Sequence, residues 1–437
     1  MWELIRANKR NSLLLMVLMA AVLLGLGYLL GAVLFRPITT FTAPRYPGTY
    51  VDAPARTTHG AHYAGFIGLI IASVIWLILL IVSFSSGDSI LLAASKAVPV
   101  THDVHPQLFN VVEEMKIAAG LPMPKVYIIP DASPNAFATG RTPQTASVAV
   151  TAGLLGKLNR DELQGVIAHE MSHILHRDIL FVTLAGIMLG SIVLLSQVFL
   201  RSMFYSSLGG SRRYSSGGRG GGAGALIMLV VAIIAAILAP IMAYILYYAL
   251  SRKREYLADA GAARLTRYPE GLASALEKIA DDRSPQLASA NKVTAPMYIV
   301  NPFKKKGMKL SDLSSTHPPI SERIRILRSM THGASFKDYS RAFSDITKSK
   351  TVIPPAALTK EDVTLREASA KAKEKARPEK QMHQIGDLMR TVNGFLFLTC
   401  LCGLKLKVPP NYKAARVTCP RCKRELDIPT KTRINRK

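Results

Sequence analysis

Four long apolar runs without a single charge constrain this chain more than anything else in it. They are Ser12–Phe35, Ala64–Gly87, Ile179–Leu200 and Ala225–Leu250, and none contains Asp, Glu, Lys, Arg or His. A helix needs roughly 20 apolar residues to cross a bilayer, and each run is long enough. Core helices of soluble proteins are seldom this long and almost never charge-free throughout. The first run exceeds a signal-peptide core, and Arg36-Pro37 follows it where a small-residue cleavage site would stand. It is expected to stay as an anchor. Pro240 lies in the second half of the fourth run. In a membrane span that predicts a kink, because neighbouring groups can satisfy the freed carbonyl.

The formal net charge of +26 suits anionic lipid headgroups or nucleic acid. With four apolar runs present, lipid is the simpler partner and nucleic acid is not expected. Four spans put both termini on one side. Arg6, Lys9 and Arg10 precede the first run and a Lys/Arg-rich tail follows the last, so the positive-inside rule places both termini in the cytoplasm. The loop between runs three and four carries Arg201, Arg212, Arg213 and Arg219 and no acid. It would face outward against the rule, which leaves a shallow or re-entrant hairpin open for that pair. All four cysteines fall in the last 38 residues, so the rest of the chain holds no disulfide framework, as suits a reducing compartment.

The expected organisation is an α+β membrane protein in four parts. Residues 1–90 form a two-span anchor, and 91–330 form a globular unit interrupted by the apolar hairpin 179–250. Residues 331–390 are a charged linker or solvated helix, and 391–437 a small separate module. Within the globular unit, His105–Gly120 has helical apolar spacing. Lys125–Pro130, Asn135–Gly140 and Ala146–Thr151 are strand-like, with a turn containing Gly140, Thr142 and Pro143. Ser206–Gly224 is rich in Gly, Ser and Arg, a composition that predicts a flexible loop.

The chemistry-bearing pattern is His169-Glu170-Met171-Ser172-His173. Asn159 followed by Glu162 resembles a capping box and marks the helix start. Two histidines at i and i+4 share one helix face and can reach one metal, most simply zinc. Glu170, offset beside them, is placed to take a proton from water next to the metal. A catalytic zinc needs a third protein ligand and an open position. Glu255 is the best candidate, and Asp259, one turn on, can accept the outer N–H of a ligating histidine. The bland alternative makes both of them surface acids among basic residues. His176 is expected at the surface or an interface. His173 lies six residues before the third run and Glu255 five after the fourth, so a hairpin would bring the site together at the membrane surface.

Asn135-Ala-Phe-Ala-Thr-Gly140, the HEMSHxxxRD segment from His169 to Asp178 and ExxAD from Glu255 resemble the HtpX-like family of membrane zinc peptidases, relatives of the CAAX prenyl proteases. The match covers roughly 87–327 and the anchor. The resemblance implies a zincin-like (gluzincin) catalytic domain facing the cytoplasm, an endopeptidase, and quality control of damaged or misfolded membrane proteins. It implies that Asn135 and Ala136 belong to an edge strand that binds the polypeptide substrate; the alternative for Asn135 is an ordinary turn residue. His317, in Thr316-His317-Pro318-Pro319, would stabilise the oxyanion, or would only cap the following helix. Arg323 would pair with an acid near the site, or lie on a solvated face. A membrane-tethered scaffold has no need of Glu170, and a prenyl-protein protease needs a larger chamber with more spans.

Outside that match stand Cys400-x-Cys402 and Cys419-x2-Cys422, separated by 16 residues. Two close thiolate pairs at this distance suit a structural zinc with four cysteine ligands in a zinc-ribbon-like module. One catalytic and one structural zinc are therefore expected.

Overall fold

The computed structural model describes residues 2–34, 58–208, 222–282, 297–300, 318–349, 353–358, 363–369, 378–412 and 414–428. Among them, two helices are long and apolar enough to cross a membrane: α1 (Trp2–Leu34), over Leu4–Val33, and α2 (Thr58–Ala94), over Tyr63–Ala94. The two touch backbone to backbone. A Cβ on Gly31 would come within 2.5 Å of the Gly68 Cα, and one on Gly68 within 2.3 Å of the Gly27 carbonyl oxygen. Small residues four apart permit this approach, which supplies packing where lipid offers no hydrophobic drive. On its outer side α2 exposes Phe66, Ile70, Val74 and Ile81. An apolar row of that length is unsuited to water and suited to hydrocarbon.

α6 (Asp178–Leu208) and α7 (Gly222–Thr266) pack with α1 around Leu15, Met19, Leu23, Ile192, Phe199 and Ala236. Among the described residues their apolar stretches include Met188–Arg201 and Leu229–Ile245. Pro240 sits inside α7 without ending it. The centre of the Gly/Ser/Arg-rich loop, 209–221, lies outside the described residues.

The globular part is built on a four-stranded sheet in the order β1-β2-β4-β3: β1 (Val98–Pro99), β2 (Lys125–Ile129), β4 (Ser147–Thr151) and β3 (Ala136–Thr139). β2 and β4 run parallel, and β3 returns antiparallel with Ala136 opposite Val150, which makes β3 the edge. All five residues of β4 are buried, which explains its unbroken Ser-Val-Ala-Val-Thr run. α3 (Pro106–Ala119) buries Leu108, Val111, Val112 and Met115, a helical period, and ends at left-handed Gly120. Short α4 (Ala152–Lys157) follows β4 and leads into α5 (Arg160–Leu175). α5, α8 (Pro269–Ala280) and α9 (Ile320–Arg328) complete the main core.

The region 331–390, expected as a charged linker, is structured in much of its length. α10 (Phe336–Thr347) buries Phe336, Tyr339, Ala342 and Phe343 in the main core. An amphipathic helix with one apolar face keeps a charged composition and still docks. Residues 363–369 lie against α5 and the end of α7. Arg366 bonds Asp161 at 3.0 Å, Gln164 at 2.6 Å and the Thr266 carbonyl at 3.0 Å, and the Ser369 N–H reaches Asp161 at 2.9 Å. α11 (Pro378–Val392) follows and leads into two hairpins, β5 (Leu396–Thr399) with β6 (Lys405–Val408), and β7 (Arg416–Thr418) with β8 (Glu425–Asp427).

Candidate active site

α5 starts at Asn159, whose side chain accepts from the Glu162 N–H at 2.9 Å while Glu162 accepts from the Asn159 N–H at 2.9 Å. This reciprocal cap fixes the register of the helix. One turn apart, the rings of His169 and His173 stand edge to face, and their Nε2 atoms are 3.3 Å apart. α7 crosses α5 so closely at Gly261 that a Cβ there would fall 2.0 Å from the Ser172 hydroxyl. That crossing delivers Glu255. Its carboxylate oxygens lie 3.5 Å from His173 Nε2 and 3.7 Å from His169 Nε2.

Ligand atoms from the three side chains all lie within 4.8 Å of one another. A tetrahedral zinc with bonds of about 2.0–2.2 Å has ligand–ligand edges of about 3.3–3.6 Å. The His169 and His173 Nε2 atoms at 3.3 Å, and Glu255 Oε1 at 3.5 Å from His173, stand at such edges, and the other Glu255 oxygen lies 3.7 Å from His169.

The histidines are backed by carboxylates on their outer nitrogens. Asp259 lies 3.0 Å from His169 Nδ1 and Asp178 3.4 Å from His173 Nδ1, and both acids are fully buried. Such backing fixes the ring and leaves Nε2 for a metal. Arg323, also fully buried, grips Asp259 with two bonds of 2.7 and 2.8 Å and stands 3.5 Å from Glu255. Burial alone would lower His169, yet the neighbouring carboxylates of Asp259 and Glu255 raise it to about 9.

Glu170 is 2% exposed. Burial pushes its carboxyl above the usual range; the two histidines pull it down, Glu255 pushes it up, and the Ala138 N–H of β3 pulls it down. A buried carboxyl with heightened proton affinity is suited to general-base work.

Residues 103–331 match the family model described as Peptidase family M48. The chain belongs to peptidase family M48. Proteins named "Protease HtpX homolog" are similar to it. That of Dictyoglomus turgidum is 51% identical over 266 residues, 61% of this chain and 83% of the relative. That of Caldanaerobacter subterraneus subsp. tengcongensis is 45% identical over 267 residues, 61% and 86%. That of Lactobacillus helveticus is 39% identical over 334 residues, 76% and 100%. This M48 protein is thus a zinc metalloprotease, associated with membranes.

His176 is not at the surface. α7 packs over it beside Gly261, it is fully buried with Nδ1 3.2 Å from the Ser172 hydroxyl, and burial lowers it to about 4. Asn135 and Ala136 are buried at the β3 edge, where the chain's own residues 297–300 lie alongside. The Ala136 carbonyl accepts the Ile299 N–H at 2.9 Å, and Asn135 Nδ2 donates to the Val300 carbonyl at 2.8 Å. Arg323 holds the Ile299 carbonyl at 3.1 Å, so it joins this segment to Asp259. His317 lies outside the described residues.

The four cysteines, beyond the matched residues, are free thiols gathered in one cluster. Cys400 and Cys422 Sγ are 3.4 Å apart, Cys402 and Cys419 Sγ 3.7 Å, and all four lie within 4.8 Å. Zinc–sulfur bonds of about 2.3 Å give tetrahedral edges of about 3.8 Å, and the two close pairs, at 3.4 and 3.7 Å, stand near that spacing. Chiefly the Cys422 N–H, and with it the Arg421 N–H, holds Cys419 below the ordinary thiol range. Backbone donors of this kind favour the thiolate that binds metal.

Proposed function

We propose that this M48 protease is a membrane-embedded zinc endopeptidase that hydrolyses peptide bonds of membrane or misfolded proteins. The observation that carries it is the convergence of His169, His173 and Glu255 within 4.8 Å, beside a buried carboxyl, Glu170. In this reading the three residues hold the catalytic zinc and Asp259 fixes the His169 ring. When bound, zinc supplies Lewis acidity toward a water and the scissile carbonyl. Glu170 takes the proton of the attacking water and returns it to the leaving amine. Cys400, Cys402, Cys419 and Cys422 hold a second, structural zinc in the module 391–437.

The substrate runs as an added strand at the edge formed by Asn135 and Ala136, which requires Ile299 to release the Ala136 carbonyl. His317 approaches the carbonyl oxygen as an electrophile. The apolar helices cross the bilayer four times. α1 and α6 leave from the catalytic unit and α2 and α7 return to it, which puts both termini and the protease domain 91–330 on one side, and the Lys/Arg-rich ends make that side the cytoplasm.

The test is cleavage of casein by detergent-purified protein, wild type against Glu170→Gln, with zinc counted in both. Cleavage by wild type alone, with about two zinc per chain in each, is the expected result. Cleavage by Glu170→Gln at the wild-type rate would sink the role of Glu170. Zinc content unchanged in Glu255→Ala would sink the third ligand.

A further inference from the structure

The first membrane helix does not stop at the membrane. Its opening turns run into the protease domain: Leu4 is 1% exposed and packs in the main core. One turn on, Asn8 Nδ2 donates to Asp178 Oδ1 at 2.7 Å and lies 3.3 Å from the His176 carbonyl. Both partners are acceptors, so the amide nitrogen, not its oxygen, must face them. The second oxygen of Asp178 stands 3.4 Å from His173 Nδ1. A further turn on, Ser12 accepts from Arg254 Nη2 at 2.8 Å, and Arg254 neighbours Glu255 in sequence and lies 3.9 Å from Asp178. Asn8, Asp178 and Arg254 are all buried.

We propose that Asn8 is a positioning residue of the metal centre. It rests on the reading of His169, His173 and Glu255 as zinc ligands. Asn8 acts through Asp178, which acts on His173. A buried carboxylate needs donors, and those it has decide where it points. The neutral amide makes the short bond that aims Asp178, with the Arg254 guanidinium farther off at 3.9 Å, so the second oxygen is left for the histidine N–H. The donor comes from 165 residues upstream of His173, on a helix that is free of charge from Ser12 to its end. The metal site is therefore complete only while α1 is seated in the bundle, and leaving the membrane and losing the site become one event.

The test is zinc affinity of the full-length protein in detergent, read by competition with a graded chelator. The fraction that disappears in Glu255→Ala defines the catalytic site and excludes the cysteine module. Asn8→Asp preserves the shape and removes the donor; Asn8→Ala removes both; Asn8→Ser keeps a small donor. Loss of such outer partners typically weakens metal binding 10–100-fold, and Asn8→Asp is expected to fall in that range. The expected order of affinity is Asn, Ser, Ala, Asp. In an Asp178→Ala background, Asn8→Ala is expected to add little, because the chain of contacts is already cut. Wild-type affinity in Asn8→Asp with a loss only in Ala would mean packing alone and overturn the proposal. So would full additivity with Asp178→Ala. If Glu255→Ala leaves zinc binding intact, the ligand assignment fails first and the proposal falls with it; if Glu255→Ala loses zinc and Asn8→Asp does not, the proposal alone falls.

Discussion

Arg323 and Asp259 face each other in a two-bonded ion pair, at 2.7 and 2.8 Å, with no solvent exposure on either side chain. Burial would raise Asp259, but the guanidinium holds its carboxyl below the usual range. The charge that backs His169 is thus kept on Asp259 by α9.

Removing Arg323 leaves that charge buried without its partner. Breaking a buried pair costs about 3–5 kcal/mol. Arg323→Met is expected to lower the denaturant midpoint accordingly. Arg323→Lys is expected to recover little, because a single ammonium cannot make two parallel bonds. A midpoint within experimental error of wild type for Arg323→Met would contradict this.

Residues 363–369 are held partly by Asp161. Burial raises its carboxyl, but the Ser369 N–H and hydroxyl and Arg366 outweigh that and hold it below the usual range. A depressed carboxylate stabilises the fold fully above its unfolded value, about 3.9, and loses that contribution as pH falls below it. Hydrogen exchange of 363–369 should therefore be flat between pH 5 and 8 after correction for intrinsic rates, at roughly constant protection, and rise below about pH 4. Asp161→Asn should show the released pattern at neutral pH.

At the crossing of α1 and α2, Gly68 admits no side chain without moving backbone. Gly68→Leu is expected to separate the two helices and to lower the temperature at which detergent-solubilised protein aggregates. Gly25, where a Cβ meets nothing within 4 Å, serves as the control, and Gly25→Leu should be near wild type.

Cys419 is buried within its cluster. Cys419→Ser is expected to lose one zinc per chain while the zinc removed by Glu255→Ala persists. Loss of both, measured by metal analysis, would mean that the two sites depend on each other.

Much of the centre was legible because its signals are local. The i and i+4 spacing of His169 and His173, and the cap of Asn159 with Glu162, involve neighbours on one helix. The three main strands and α3 could be read from apolar spacing in the same way. Asn8 with Asp178 gave no such signal. The two residues are 170 positions apart, and an asparagine near a membrane helix has many ordinary explanations. Arg323 carried an even choice between an ion pair and a wet surface, which only the packing of α9 against α7 resolves. His176 lies between helices and not at the surface, because Gly261 lets α7 close over it, and nothing local announces that. α10 was hidden by composition, since its apolar face is diluted by charges on the other side.

α7 runs unbroken from its apolar run to Thr266, and Glu255 lies five residues beyond Leu250 on the same helix. At 1.5 Å per residue that is a stand-off of about 7–8 Å. An extended chain covers this in about two residues. If α7 crosses the bilayer as proposed, the helix is a measuring rod: a polypeptide emerging from the lipid has to expose about that many residues before a bond of it can reach Glu170.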